Sequence, residues 1–479
     1  MISKYKKLMN RGSEHFYYVG ATVISALVHF VYSVFVKAHI EPVEYGMYSS
    51  CLLLQTYMAY AQLGTLNSFN RDYPQLIGAG DDIKATKYRN AVFTYIVLVF
   101  SILTVIVSAT IQIFNKIWNV DDRYTYGLIL CAVITTVTLL ENFLASRVRI
   151  DGGFRYTSIV LLVELTAVVL GILLIPRLGY YTLYIVTIIS MLIGIVMFYK
   201  KGIADLKLSF EFKLLKTIVI SGIPLLINGL IWTIVNSIDK FVILGFMDAE
   251  ALGIYSIAQM AFSYIVLIPT SMSQLFYVKL GKIYGATNSI DELNDSATKY
   301  TLIISIVISY VVLGAYYFMR PLVDWIMPKY SEGVASAKIL MIGLAIYAPT
   351  MVNGNILTIL KKNATLIRGS IYLCVLNAVC SIALILLNGA NIESVAIGTG
   401  ISYLLRTIIL IIQLKNEANT NVVKMINASI VPVLIIAGPG IAISVFVTNI
   451  FLGFIISAIF ASMVTLFIYM KNLKEILRG

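Results

Sequence analysis

Six ionisable side chains stand inside long apolar runs of this sequence: His29, Glu141, Glu164, Asp239, Lys240 and Arg406. A charge at bilayer depth costs several kcal/mol unless it faces protein or water, so each is a candidate for work rather than architecture. Glu164 is the sharpest, flanked by Leu161, Leu162, Val163 and Leu165. A carboxyl placed there suits reversible protonation or cation binding, or else stands neutral and hydrogen-bonded between helices. Asp239 follows Asn236 by one helical turn, so the two share a face, and Tyr32 and His29 repeat that spacing near the N-terminus. Asp239 and Lys240 also read as the outer end of their run. Arg406 lies about 9 Å, at helical rise, from the inner end of its run and can snorkel to it. In a sharper reading Arg406, with Lys37 or Lys240, attracts a phosphate, because guanidinium binds phosphate through two parallel hydrogen bonds. Glu141, close to Arg147, reads as a salt bridge at an inner gate.

Catalytic signatures are missing from this set. The sequence has no GxxxxGK[ST] phosphate loop, and its three histidines fall in no metal-binding or Ser/His/Asp pattern. Cys51, Cys131, Cys374 and Cys380 lie in or beside apolar runs without ligand spacing, so no disulfide framework is expected. We expect no enzyme and no cofactor, with energy drawn from an H+ or Na+ gradient or from the substrate's own gradient.

The elements that must position these residues are membrane helices. The chain is 59% hydrophobic and 13% charged, far from the composition of a water-soluble domain. Apolar runs of about twenty residues recur along its whole length, each long enough to span the hydrocarbon as a helix. Counting them gives fourteen, the first at 15–37 and the last at 450–470, and an all-α integral membrane protein. Lys and Arg fall more than three to one on the side that holds the N-terminus, which places both termini in the cytoplasm and explains the net charge of +12 without nucleic acid. Gly46, Tyr48 and Ser49 recur as Gly253, Tyr255 and Ser256, with Tyr57, Phe69 and Gly78-Ala79 recurring as Tyr264, Phe276 and Gly285-Ala286 in the same register. Six spans separate the copies, so the halves are expected to be parallel repeats around a central cavity. We expect an N-terminal lobe at 1–205, a C-terminal lobe at 206–415, and an appended helix pair with a cytoplasmic tail at 416–479. Prolines 224, 269, 349, 432 and 439 fall within spans, where they permit bends.

Pro42-Val-Glu-Tyr-Gly-Met-Tyr48, Gly64 and Asn70-Arg71 resemble the polysaccharide transporter branch of the multidrug/oligosaccharidyl-lipid/polysaccharide exporter superfamily. So do Gly222-Ile-Pro-Leu-Leu-Ile-Asn228, the run Asn236 to Leu244, and Lys329-Tyr-Ser-Glu332. The resemblance implies two six-helix lobes and a Wzx-type flippase of the bacterial cytoplasmic membrane, moving an undecaprenyl-pyrophosphate-linked repeat unit to the outer leaflet for O-antigen or capsule. Membrane lipids, a polysaccharide polymerase and chain-length proteins are the partners it implies. The alternatives are an ion-coupled drug or metabolite exporter of the same superfamily, with a smaller and more acidic cavity, and a membrane glycan polymerase or ligase. The longest expected outer loop, about 319–336, is short for a catalytic loop.

Overall fold

The computed structural model describes residues 2–201 and 206–478, so the boundary expected at 205/206 adjoins residues outside the description. Side chains of 2–16, 18–19, 228 and 471–478 also lie outside it, including Lys4, Lys6, Lys7, Arg11, Asn228, Lys471, Lys474 and Arg478. The described chain is helical throughout, in two compact units, Met1–Thr233 and Ile234–Gly479.

The first unit contains α1 (Ile2–His39), α2 (Pro42–Met58), α3 (Thr65–Gly78), α4 (Asp82–Trp118), α5 (Asp122–Ile150), α6 (Phe154–Gly171), a short α7 (Ile175–Leu178), α8 (Thr182–Lys200) and the first part of α9 (Phe212–Phe246). The second unit takes the rest of α9, then α10 (Ala249–Ile265), α11 (Leu267–Thr287), α12 (Ile290–Ile326), α13 (Val334–Tyr347), α14 (Thr350–Ile359) and α15 (Asn363–Asn388). It closes with α16 (Ile392–Ala418), α17 (Val422–Ser429), α18 (Val431–Phe446) and α19 (Ile450–Arg478).

Helix starts carry the side chains that satisfy orphan backbone N–H groups. Asp81 accepts from the Lys84 amide, Asp248 from Ala251, Asn391 from Ser394 and Asn421 from Lys424. Apolar residues do not all turn inward. Phe467 is 88% exposed and Phe446 84%, which is the surface expected of helices whose outer solvent is hydrocarbon. Phe69, Phe100, Phe143 and Ile96 centre the core of the first unit, and Ile304, Ile308, Met341 and Val352 that of the second.

Twelve stretches are long and apolar enough to cross a membrane. One of them, Phe154–Lys200, folds back at α7 so that α6 and α8 pack side by side. The run expected at 47–66 is not among the twelve, because its helices are short. It breaks where Leu63 (φ 49°) and Gly64 (φ 80°) take left-handed backbone between α2 and α3. The fourteen expected crossings are therefore an approximate count.

Candidate functional site

The break at Gly64 builds a polar interior in the first unit. With no Cβ, Gly64 adopts positive φ and lies so close to the Gly222 backbone that a Cβ on either would overlap the other. Ser68 Oγ donates to the Ile218 carbonyl at 2.7 Å, fastening α3 to the first part of α9. Beyond this crossing is a cavity of about 380 Å³ lined by α2, the turn after it, α3, α5 and α9. Its polar groups are Gln55, Thr56, Tyr60, Gln62, Asn67, Thr135, Thr138 and Thr233, with Leu139, Leu226 and Gly229 completing the wall. The Tyr60 hydroxyl bonds to Thr233 Oγ1 across it. Amides and hydroxyls both donate and accept, and among the described residues no charged side chain lines this space. It suits a ligand rich in neutral hydroxyl and amide groups.

At the far end of α3, Asp72 accepts from Arg71 Nε at 2.6 Å, and from Tyr88 and Ser221 at 3.1 Å each. The Arg71 hydrogen bond, aided by those hydroxyls, holds the Asp72 carboxyl below its ordinary pKa. Arg71 also donates to Ser221, so the α3–α9 junction is tied at both ends.

The structure joins two of the expected carboxyls. Glu141 of α5 and Glu164 of α6 lie side by side, both carboxyls reaching toward Gly194. Gly194 of α8 closes the third side, where a Cβ would fall on Glu164 Oε1. Arg147 lies instead beside Asp151, Nε to Oδ2 3.9 Å. His29 is exposed on α1, and Tyr32 packs with Val36, Ile40, Tyr45 and Tyr48. Lys37 is only 1% exposed, with its ammonium 3.8 Å from the centre of the Tyr45 ring and 3.3 Å from Ser33 Oγ.

In the second unit Asp239 is the hub of a polar cluster drawn from four helices. Its Oδ2 accepts from the Tyr255 hydroxyl at 2.6 Å, and its Oδ1 from Thr399 Oγ1 at 2.9 Å and Asn377 Nδ2 at 3.1 Å. Ser381 Oγ donates to Asn377 Oδ1, and Thr399 Oγ1 also reaches the Val395 carbonyl. A carboxylate, an amide oxygen, a carbonyl and three hydroxyls gather oxygen atoms here, the donor chemistry a small hard cation prefers. No group of three or more His, Cys, Asp or Glu is assembled among the described residues. Lys240 neighbours Asp239, while Asn236 is exposed one turn earlier on α9.

Arg406 is 5% exposed in α16. Its guanidinium reaches two turns toward the C-terminal end of the helix, to Gln413 Oε1 at 3.4 Å, the direction snorkelling predicts. It stays buried, over Gly369. Thr399, beside Asp239, is seven residues away on the same helix, about 10 Å of rise.

Sequence reasoning did not single out the lining of the first unit's cavity or the partners of Asp239. A signal existed: Gln55, Gln62, Asn67 and Asn377 are amides in or beside apolar runs, where polar side chains mark helix contacts or cavities.

A family model described as "Polysaccharide biosynthesis protein" matches residues 39–327. No curated protein matches the chain by sequence. Among solved structures, the fold is similar to lipid II flippase MurJ in an inward closed conformation, with a TM-score of 0.72 and 14% identity over 95% of this chain and 99% of that one. It is also similar to an inward-facing multidrug resistance MATE family transporter of the MOP superfamily, with TM-score 0.66 and 14% identity over 83% and 96% of the two chains. For the Vibrio cholerae MATE transporter VcmN in its bent form, the TM-score is 0.56 at 15% identity over 86% and 98%.

Proposed function

The chain belongs to the polysaccharide biosynthesis protein family and folds as a multi-pass membrane transporter, and from that premise we propose that its cargo is a lipid-linked oligosaccharide. In this reading the protein is a flippase of the bacterial cytoplasmic membrane. It carries an undecaprenyl-pyrophosphate-linked repeat unit from the inner to the outer leaflet by alternating access, for O-antigen or capsule synthesis.

The observation that carries the reading is the neutral lining of the 380 Å³ cavity. Sugar hydroxyls are donors and acceptors at once, and so are the eight polar side chains that line it. A pocket of this size falls in the usual range for a small-molecule site. An exporter of cationic drugs needs the opposite, a carboxylate in the cavity wall to replace the water lost by the cation.

Two places are proposed for energy coupling. The Asp239 cluster can exchange its internal hydrogen bonds for a proton or Na+, and the adjacent carboxyls of Glu141 and Glu164 can gain or lose a proton. Deleting the gene in its host, then restoring it with Asn67→Ala or Gln55→Ala, tests the cargo. The expected result is accumulation of undecaprenyl-pyrophosphate-linked repeat units on the cytoplasmic side and weak restoration by both variants. Intact surface glycan with new sensitivity to cationic drugs would favour the exporter.

A further inference from the structure

A second cavity, of about 350 Å³, opens where the N-terminal end of α15 meets the C-terminal end of α16. Arg368 and Tyr372 face it from α15, and Ile412, Gln413 and Asn416 from α16. Its charges do not balance internally. Glu417, at the rim, is held by Lys362 at 3.0 Å and by Thr365 Oγ1 at 2.9 Å. Arg368 donates to Thr365 Oγ1 at 3.1 Å, and Arg406 to Gln413 Oε1 at 3.4 Å. Among the described residues no carboxylate forms an ion pair with either guanidinium. An uncompensated cation buried as deeply as Arg406 costs several kcal/mol, and a 3.4 Å bond to a neutral amide is a weak return.

The arrangement nevertheless looks built. Arg406 lies over Gly369, the residue after Arg368, where a Cβ would collide with the guanidinium. That notch brings two guanidiniums to one turn of α15. Gln413 gives its carbonyl oxygen to Arg406, which leaves its amide hydrogens to donate into the cavity beside Asn416 and the Tyr372 hydroxyl. Apart from Glu417, which Lys362 and Thr365 engage at the rim, the surroundings are donors and positive charge, the complement of a phosphate. The lip is apolar, because Tyr372 and Ile412 are 47% and 50% exposed on the outer surface of this unit. A polar, cationic pocket with an apolar lip, at the end of membrane helices, fits an amphiphile with its headgroup inward and its chains along the helices.

We propose that this cavity binds the phosphate of a membrane lipid through Arg368 and, by way of Gln413, Arg406. Two lipids present that chemistry, an anionic phospholipid and a polyprenyl diphosphate carrier. The assignment stands whichever cargo the protein moves.

The test is a titration of the full chain, purified in a maltoside detergent, with dioctanoyl-phosphatidylglycerol, farnesyl diphosphate and inorganic pyrophosphate, read by calorimetry. At least one of the two lipids should bind, and Arg368→Gln should weaken it about tenfold, the loss expected for a charge-assisted hydrogen bond. Gly369→Ala, which displaces Arg406, should weaken it similarly. Arg368 is exposed, so its variant keeps the test open if Gly369→Ala fails to fold. Tighter binding of farnesyl diphosphate identifies the carrier as the source, and equal or tighter binding of phosphatidylglycerol identifies bulk phospholipid; either supports the site. Parent and variants binding alike, no lipid binding at all, or inorganic pyrophosphate binding as tightly as the lipids would overturn it. Such failure leaves the flippase reading intact, since that is judged by transport.

Discussion

Replacing Gly222 with alanine should damage the first unit far more than a single methyl suggests. The added Cβ would overlap the Gly64 carbonyl group, which is backbone and cannot swing aside, and would also press on Ser68 Oγ. Inserting a methyl where packing is already closed costs about 1–3 kcal/mol. As α3 and α9 part, the Ser68 to Ile218 bond and the Ser221 to Asp72 bond lengthen, each contributing about 0.5–1.5 kcal/mol. The sum, about 2–6 kcal/mol, lowers the melting temperature of a unit this size by roughly 4–24 °C. The assay is thermal unfolding in detergent, followed by tryptophan fluorescence, beside a restoration test for surface glycan. Gly245→Ala on the same helix is the control, because nothing lies within 4 Å of its Cβ. If Gly222→Ala melts and transports like Gly245→Ala, the glycine crossing does not shape the cavity and the reasoning fails.

Asp72→Asn should destabilise the protein at neutral pH but not in strong acid. The Asp72 carboxyl is held below its ordinary value, so its contribution is complete above about pH 4 and is lost as pH falls through the lowered value. Melting curves of parent and variant should therefore converge as pH falls through that lowered value, and a constant gap would refute the tie to Arg71. Asp239→Asn should leave downhill movement of cargo but abolish its response to an imposed H+ or Na+ gradient, measured in vesicles. Glu164→Gln keeps the side chain's size and polar end beside Gly194, so melting should be unchanged while the pH dependence of transport flattens; an unaltered pH profile would remove that pair from the cycle.

Much of the architecture is legible in the sequence, since apolar runs of membrane length obey a solvation rule that acts locally. The break at Leu63-Gly64 is harder to see, because a left-handed turn within an apolar run leaves its hydropathy untouched. The site is only half legible. Glu164 and Asp239 announce themselves as isolated charges, but Asn377 and Thr399, which bond to Asp239, lie 138 and 160 residues away in the chain. Lys37, expected beside a phosphate, is instead folded onto Tyr45, a contact that charge and spacing alone do not disclose. Arg406 looks like a snorkelling residue until Gly369 is seen to make room for it inside the protein.

The most direct measurement reconstitutes the purified protein into liposomes carrying a fluorescent undecaprenyl-pyrophosphate-linked oligosaccharide, and follows how fast the outer leaflet's glycan becomes inaccessible to a membrane-impermeant quencher. The account predicts rapid exchange between leaflets that slows with Asn67→Ala. Exchange no faster than in protein-free liposomes, under every ion gradient imposed, would contradict it.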